Sequence, residues 1–299
     1  MNYLLHLLIY FNIYALLALS LNLVAGYCGL MTLAHAAYFA VGAYTYSLLS
    51  ITLSWGFLPA AAAAAAVAML LSLAVSLPAW RFRGDFFVMV SLAVQTLLFS
   101  LLQNWTSPDA PLGSWKNLTN GPFGITGVPR PSIFGWQASS LGEYWLVSFG
   151  VLLAGAFIVW QLVNSPWGRL LKCTRDDELA TRSIGLNTRR AKVEAFAFAC
   201  GLAAVAGALY AGYVGYIDPS TASLDESILM LCMVIVGGVG NFKGPLVGAA
   251  VLIAIPEILR FVDFPDAVAA NMRLLLYGLL LVLIAHFRPR GLAGEYRYQ

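Results

Sequence analysis

The densest group of reactive side chains lies between residues 164 and 192. This segment, NSPWGRLLKCTRDDELATRSIGLNTRRAK, carries seven basic residues and three consecutive acids, Asp176, Asp177 and Glu178. Seven bases against three acids give this segment a net charge of +4, whereas the whole chain carries only +3. Mixed charges at this density favour recognition of another protein surface, because they form directed ion pairs. A simpler alternative is that the bases only orient a membrane protein.

The patterns of metal, hydrolytic and phosphate chemistry are absent from the sequence. The three histidines, His6, His35 and His286, are scattered, and no HExxH pair or GxxxxGK[ST] loop occurs. The four cysteines lack paired or metal-type spacing and are read as small apolar fillers: Cys28, Cys173, Cys200 and Cys232. The basic segment is short, mixed in sign and without interleaved aromatics, which argues against nucleic-acid binding. We predict no catalytic residue, no metal site and no cofactor bound by this chain.

The composition is that of an integral membrane protein. Of 299 residues, 60% are hydrophobic and only 10% are charged, and the mean hydropathy is +0.79. Soluble domains carry about 25% charged residues. Apolar runs of about 20 residues match the hydrocarbon thickness of a bilayer, and they show no strand-like alternation. The predicted fold is an all-α, polytopic transmembrane helical bundle.

Gly, Pro and charged residues divide the chain into apolar segments that we read as one transmembrane domain over residues 1–299. We predict nine spans, give or take one: 4–24, 31–53, 57–79, 86–104, 143–163, 193–213, 227–240, 245–259 and 273–287. The seventh and eighth spans are shorter than a full crossing. The sequence GGVGNFKGP between them fits either a tight turn or the tip of a re-entrant hairpin.

If the spans alternate, most basic residues fall on one face, which the positive-inside rule makes cytoplasmic. They are Arg81, Arg83, the bases of 164–192, Lys243, Arg288, Arg290 and Arg297. The opposite face receives the N-terminus and the 105–142 loop, which has only two bases. The C-terminus is then cytoplasmic. Five aromatic residues in the 105–142 loop predict an external cap or docking loop rather than a disordered connector: Trp105, Trp115, Phe123, Phe134 and Trp136.

The 164–192 segment carries helix start and stop signals. Ser165 followed by Pro166 is an N-cap with an N1 proline, Gly185 suits a helix C-cap, and Asn187 can cap the next span. These signals predict a short helix lying across the cytoplasmic face. A helix held between two spans in this way could transmit force from a soluble partner to the bundle.

Five stretches of the chain resemble the permeases of ABC importers for branched-chain amino acids. They are NLVAGYCGLMTLAHAAYFAVGAYTYSLL, RFRGDFFVMVSLAV, LTNGPFGITGVPRPSIFG, RDDELATRSIGLNTRRAKVEAFAFACGLAAVAGALYAGYVGYIDP and MVIVGGVGNFKGPLVGAAVLIAIPEIL. The second and third resemble segments that mark the LivM type rather than the LivH type. The likeness is spread over nearly the whole chain.

The resemblance implies that the 164–192 segment is a coupling loop seated in a groove of a cytoplasmic ATPase subunit. The family's Glu-Ala-Ala motif with a following glycine corresponds here to Glu178, Ala180 and Gly185, with Leu179 substituted. We therefore assign ATPase coupling to Arg175, Asp176, Asp177, Glu178, Ala180 and Gly185. The implied partners are two ABC ATPase subunits that use ATP, a second LivH-like permease and an external binding protein. The implied location is the bacterial cytoplasmic membrane.

Small and neutral polar residues within the spans are candidates for the substrate path. Glycines beside short helices could expose backbone groups to a zwitterionic substrate, although close helix packing explains them equally well: Gly26, Gly29, Gly237, Gly238 and Gly240. His35 is ionisable within a span and is a functional candidate, with a structural hydrogen bond as the alternative. Gln95 and Thr96 complete the set. Relatives often carry a glutamate near Thr96, which leaves the exact substrate open.

The sequence thus predicts a permease subunit of an ATP-driven importer for branched-chain or other neutral amino acids, without an ATPase site of its own. A urea or short-chain amide permease of the same family is the alternative within this class. A stand-alone secondary transporter is a different class, and it predicts acidic or lysine relays within the spans. Almost all of the fourteen acids lie at span ends or in loops.

Overall fold

The computed structural model describes residues 2–79, 85–107, 109–133, 136–260, 266–288 and 291–293. Nine long helices and two short ones make up most of these ranges. The helices are α1 Asn2–Asn22, α2 His35–Thr52, α3 Phe57–Ala79, α4 Asp85–Asn104, α5 Leu141–Asn164, α6 Pro166–Asp176, α7 Glu178–Ser183, α8 Thr188–Val214, α9 Leu224–Gly237, α10 Gly244–Arg260 and α11 Asp266–Phe287. A π-helical turn, Leu23–Tyr27, continues α1, and single 3-10 turns lie at Gly121–Phe123 and Pro219–Ala222. Four two-residue strands, β1 Ile125–Thr126, β2 Ser132–Ile133, β3 Trp136–Gln137 and β4 Tyr216–Ile217, complete the structure.

The nine long helices coincide in position with the nine predicted spans. Among the described residues, five helical segments are long and apolar enough to cross a membrane, judged by length and composition: Asn2–Tyr27, Phe57–Ala74, Phe86–Asn104, Leu141–Asn164 and Thr188–Val214. Such helices satisfy their backbone groups internally, as lipid requires. The chain is therefore an all-α, multi-pass membrane bundle.

Helices α1, α2 and α8 form the centre of the bundle. In the apolar stretches of α1 and α8, 72% of the residues are buried inside the protein, whereas only 22% are buried in that of α4. Gly42 of α2 and Gly207 of α8 face the backbone of the opposing helix so closely that a Cβ on either would overlap it. Small residues at these positions let the two helices approach closely. In lipid, where the hydrophobic effect does not drive helices together, the resulting van der Waals packing provides the attraction.

Helix α9 is short because it begins inside the bundle. The preceding 3-10 turn, Pro219–Ala222, meets Gln95, which is the eleventh of the 20 residues of α4. The 14 residues of α9 span about 21 Å. The following turn, residues 238–243, lies beside the end of α1, where Gly240 N–H donates to Asn22. The glycine-rich segment is thus a turn at the end of the bundle, and the break in the helical path lies before α9.

A seam of glycines joins α9 to α10. A Cβ on Gly237 would overlap the backbone at Gly244, and one on Gly248 would overlap the carbonyl of Met233. The two helices therefore pack backbone against backbone.

The 105–142 segment folds onto the same end of the bundle as the C-terminus of α8. Strand β1 pairs with β4 in antiparallel register, with Ile125 opposite Ile217. The indole N–H of Trp105 donates to the carbonyl of Trp115 at 2.8 Å, and the two rings meet edge to face. The prediction that this loop is folded is confirmed for its described residues. Phe134 lies outside them.

The charged segment, the 238–243 turn and the end of α11 lie together at the other end of the bundle. Gly291 packs on Gly238, and the backbone N–H of Leu292 donates to the carbonyl of Val236 at 2.9 Å. Lys243 and Arg288 therefore share an end with the bases of 164–192, as predicted. Four other bases of that prediction lie outside the described residues: Arg81, Arg83, Arg290 and Arg297.

Candidate functional site

The charged segment contains two helices, which corrects the prediction of one. The backbone of Asp177 leaves the helical region at φ −152°, and α6 ends there. Its carboxylate accepts hydrogen bonds from the backbone N–H groups of Leu179 and Ala180, at 2.9 and 3.0 Å. Asp177 is thus the N-cap of α7, because an aspartate in extended conformation satisfies the free amides of a first turn. The short polar side chain outcompetes continuation of α6.

The other predicted caps of this segment are confirmed. The Ser165 hydroxyl accepts from the N–H of Gly168 at 3.2 Å, and the Asn187 side chain accepts from the N–H of Arg190 at 3.0 Å. Gly185 has a φ of +86° just after α7, a conformation that glycine adopts without steric cost. The local sequence therefore determines where these helices begin and end.

Glu178 fastens α7 to α8. Its carboxylate accepts hydrogen bonds from Lys192 at 2.8 Å and from the Thr188 hydroxyl at 3.2 Å, and it pairs with Arg182 one turn along α7. Burial raises the pKa of this carboxyl, but the hydrogen bond from Lys192 and the charges of Lys192 and Arg182 outweigh it, so the pKa lies below its usual range. We call Glu178, Arg182, Thr188 and Lys192 the Glu178 cluster.

The outer side of α7 and of the turn after it is apolar and exposed. Leu179 is 63% exposed, Ile184 is 72% exposed, and Ala180 and Leu186 are also exposed. We call these four residues the α7 surface. Exposed aliphatic side chains at the charged end of a membrane protein are typical of a contact with a soluble partner. The Glu178 cluster lies behind this surface and holds it in place.

Arg175 points away from the α7 surface and towards the membrane helices. Its Nη1 donates to the carbonyl of Gly26, in the π-helical turn, at 2.8 Å, and its Nε pairs with Asp176 at 3.0 Å. Gly29 packs against the aliphatic part of Arg175. The structure therefore places two predicted path glycines, Gly26 and Gly29, against a predicted coupling residue.

The remaining path glycines lie in the α9–α10 turn and its seam. Asn22 holds this turn from α1: its Oδ1 accepts from the N–H of Gly240 at 3.0 Å, and its Nδ2 donates to the carbonyl of Asn241 at 2.9 Å. Gly238 and Gly240 have positive φ, and Gly237 lies in the seam. In this conformation these glycines serve close packing and a tight turn.

Gln95 lies where two helices begin in the interior. Its Oε1 accepts from the backbone N–H of Ala37 at 3.0 Å, in the first turn of α2. Its Nε2 donates to the carbonyls of Ala222 and Ser223, the latter at 3.1 Å, at the start of α9. We call these four residues the Gln95 junction. Both helix N-termini carry partial positive charge, and both lie halfway along α4.

Next to the junction, the first turns of α2 and α9 also bond to each other. The hydroxyl of Ser227 accepts from the N–H of Ala36 at 3.1 Å. Buried polar atoms in lipid need such partners. The side chains of the junction itself are neutral, and the acids Asp225 and Glu226 lie in the adjoining first turn of α9.

His35 lies next to the junction, and Thr96 does not. The Nε2 of His35 shares a 2.7 Å hydrogen bond with the Ser20 hydroxyl, while its Nδ1 is buried and has no hydrogen-bond partner among the described residues. Thr96 is exposed on the outer face of α4 and donates to carbonyls of its own helix, those of Leu92 and Ala93. The structure therefore brings His35 and Gln95 together and separates Thr96 from them.

Comparison with known proteins gives the family. The model of the branched-chain amino acid transport system permease component matches residues 3–285. The chain belongs to this family. It is 30% identical to the high-affinity branched-chain amino acid transport system permease protein LivM of Escherichia coli K12, over 96% of this chain and 69% of that protein.

More distant relatives cover less of this permease. A probable LivM of Methanocaldococcus jannaschii is 28% identical over 60% of the chain and 54% of the relative. The autoinducer 2 import system permease protein LsrC of Salmonella typhimurium is 26% identical over 60% of the chain and 48% of the relative. No solved structure matches the chain.

The permease also has a large cavity that the sequence reasoning missed. A cavity of 740 Å³ lies between α1 and the last three helices, and its lining includes Tyr10, Tyr14, Met233 and Glu257. The Tyr14 hydroxyl donates to Glu226 at the start of α9, at 3.4 Å. Apolar side chains with a few polar groups are typical of a small-molecule site. Tyrosines recurring at helical spacing in α1 were the available signal.

Asn22 and Ser227 are two further positions that the sequence reasoning missed. Both are polar residues within an apolar span, and that rarity was the usable signal. No group of three potential metal ligands occurs among the described residues of the permease.

Proposed function

We propose that this permease is the membrane subunit of an ATP-driven importer for branched-chain amino acids. The observation that carries the proposal is the α7 surface, an exposed apolar patch held rigidly at the basic end of the bundle. The curated relative from Escherichia coli has this transport function in its name. In the proposal, separate ATPase subunits bind and hydrolyse ATP, and this chain binds no cofactor and catalyses no reaction.

The end with the α7 surface is cytoplasmic in this proposal, and the N-terminus is outside. Most of the described bases gather at this end, and basic residues favour the cytoplasmic side of bacterial membranes. Two ABC ATPase subunits would then reach α6 and α7 from the cytoplasm. The proposed coupling residues remain Arg175, Asp176, Asp177, Glu178, Ala180 and Gly185. The α7 surface makes the contact, Asp177 and Glu178 hold its shape, and Arg175 faces the membrane helices.

The folded 105–142 loop is the proposed docking site for an external binding protein. Trp115 and Phe123 are highly exposed there, and aromatic residues are enriched at protein interfaces. A second, LivH-like permease would complete the transport unit.

The Gln95 junction is the proposed centre of the substrate path. A neutral amino acid is a zwitterion, and helix N-termini favour its carboxylate. Movement of α2 or α9 would break the hydrogen bonds of Gln95 and free the N–H of Ala37 and the carbonyls of Ala222 and Ser223 at half depth. His35 lies beside them. Alternating access would then be a rocking of half-helices around a fixed site.

The neutral side chains of the junction also suit an uncharged amide, which supports the urea or short-chain amide permease as a second candidate. A stand-alone secondary transporter is the remaining alternative. It needs no ATPase partner, so the α7 surface would have no role in it.

The test is purification of the tagged chain from its own membrane in mild detergent, with mass spectrometry of the bound proteins. ATP-driven uptake of leucine, and of urea as the competing substrate, is then measured in proteoliposomes. We expect two ATPases, a second permease and leucine uptake. A chain that transports leucine without any ATPase would overturn the importer, and uptake of urea alone would favour the second candidate.

A further inference from the structure

Helix α1 ends without a basic residue of its own. Neither α1 nor its π-helical turn, Leu23–Tyr27, has a base in its last turn. The last carbonyls of a helix lack partners within it, and the helix dipole places negative charge there. Helix α6 supplies the missing cations: Arg175 donates to the carbonyl of Gly26, and the Lys172 ammonium lies 5.6 Å from the centre of the Tyr27 ring.

From this geometry we infer that Arg175 is the positioning residue that transmits movement of α6 to the membrane interior. The inference rests on the proposed function, since it needs ATPases that move α6. A guanidinium cannot lose its charge in a protein, so it needs a partner wherever it is buried. If α6 moves, the carbonyl of Gly26 must either follow it or lose its donor.

Arg175 has little freedom to adjust its position. Its side chain is 11% exposed, and Asp176 holds its Nε at 3.0 Å. A Cβ on Gly29 would lie 2.8 Å from its Cγ, and Gly29 itself has a φ of +73°. The contact between α6 and α1 is therefore stiff, and a displacement of α6 is passed on rather than absorbed.

The π-helical turn is connected to both helices that begin at the Gln95 junction, α9 and α2. On one side, Asn22 holds the α9–α10 turn through Gly240 and Asn241. On the other, residues 28–34 lead directly to the first turn of α2 at the Gln95 junction. A π-turn contains one more residue than an α-turn, so its conversion moves the following chain by one residue, or about 100° of rotation. A small shift at Gly26 thus reaches α2 and α9 together.

The functional test compares three variants in the reconstituted complex. Arg175→Gln removes the charge-assisted donor. Gly29→Ala leaves Arg175 in the sequence but displaces its side chain. Arg169→Gln is the matched control, since Arg169 is an exposed base on the same helix. We expect the first two variants to keep the bound ATPases and ATP hydrolysis but to lose about tenfold in substrate moved per ATP. The control should match the wild type.

A native cysteine gives a second readout that needs no transport. Cys28 follows the π-helical turn directly and is 2% exposed, whereas Cys173 on α6 is exposed. In a background with Cys173, Cys200 and Cys232 changed to serine, maleimide labels only Cys28. We expect Arg175→Gln and Gly29→Ala to raise the labelling rate about tenfold, because opening of this end exposes the thiol. Arg169→Gln should leave the rate unchanged.

The outcomes separate the two hypotheses. If the wild-type complex lacks ATP-driven uptake, the proposed function fails, while Cys28 labelling still tests the contact. If the wild type works and Arg175→Gln moves as much substrate per ATP, with unchanged labelling, the inference is overturned. Loss of the ATPases from Arg175→Gln alone would also overturn it, because Arg175 would then act in docking.

Discussion

The Glu178 cluster and the Gln95 junction do similar structural work with opposite chemistry. Each ties together two helices that start nearby, through one side chain with several partners. Glu178 uses two cations and a hydroxyl at the aqueous end of the bundle. Gln95 uses only backbone groups, halfway along α4, where its side chain is 1% exposed.

The difference shows how the surroundings determine which kind of contact joins two helices. Near water, forming an ion pair costs little desolvation energy, and a single pair contributes little to stability. Several contacts are therefore combined into a rigid cluster. Inside a membrane bundle, an unpaired charge is costly at the moment its partner moves away. A neutral amide can be released and rebound at lower cost. The charged end thus provides a fixed platform, and the interior provides a junction that can open.

The largest expected effect comes from Gln95→Met, which keeps the volume and removes every hydrogen bond of the side chain. The N–H of Ala37 and the carbonyls of Ala222 and Ser223 lose their partner in a dry interior. We expect the free energy of unfolding to fall by about 2–4 kcal/mol. Thermal unfolding in detergent measures it.

The adjacent Thr96→Val is the matched control for Gln95→Met. Thr96 bonds only to its own helix, so we expect a change within about 0.5 kcal/mol. Equal stabilities of the two variants would show that the junction does not hold α2 and α9 together.

The second largest expected effect concerns ATPase binding by the α7 surface. The double variant Leu179→Asn with Ile184→Asn removes two exposed aliphatic side chains of the α7 surface. We expect ATPase binding to weaken about 10- to 100-fold with no loss of stability, because neither side chain is buried in the free permease. Titration of purified ATPase onto the detergent-solubilised permease measures the affinity.

Trp115→Asn removes an apolar side chain at the opposite end and is the control for the α7 surface. It should leave ATPase binding unchanged. Equal weakening by both variants would mean that the α7 surface is not a specific contact.

Much of the architecture could be predicted because it depends on residues that are close together in the sequence. Apolar length predicted the nine long helices, and the short polar residues Ser165 and Asn187 marked the starts of α6 and α8. The break at Asp177 was missed, since Asp-Asp-Glu fits both the end of one helix and the cap of the next. The interior start of α9 was missed because a hydropathy pattern reports apolar length but not depth.

The candidate site was less predictable because it depends on distant partners. Arg175 and Gly26 are 149 positions apart, and no local signal indicates that they meet. Gln95 was selected for its polarity alone, and only the fold shows that it joins α2 to α9. Thr96 was selected for its polarity and for the glutamate that relatives carry near it, but it is exposed on the outer face of α4.

A third and smaller effect tests the role of the Glu178 cluster in uptake. Glu178→Lys replaces attraction to Lys192 and Arg182 by repulsion, which frees α7 from α8. We expect a stability loss of about 1 kcal/mol, unchanged membrane levels and about tenfold lower uptake.

The control for Glu178→Lys is Arg190→Gln, which breaks a more exposed ion pair with Glu194. It should leave uptake unchanged. Normal uptake by Glu178→Lys at normal expression would contradict the role of the cluster.

The smallest effect is a dependence on pH. The pKa of the Glu178 carboxyl is lower in the folded protein than its ordinary value of 4.5, because the Lys192 hydrogen bond and the nearby cations outweigh burial. Its charge therefore contributes stability that is fully present above the ordinary pKa and is lost as pH falls through the folded one. The stability difference between wild type and Glu178→Gln should be constant from about pH 8 to pH 6 and shrink below about pH 4.5. A difference that grows on acidification would contradict this sign.

The glycine seam between α9 and α10 has a consequence for how the permease can move. With backbone against backbone at Gly237, Gly244 and Gly248, the two helices cannot slide without collision. They therefore move as one rigid unit, which is held at the turn by Asn22 and lies beside the 740 Å³ cavity further along. A displacement of the turn is consequently carried along the hairpin to the lining of the cavity.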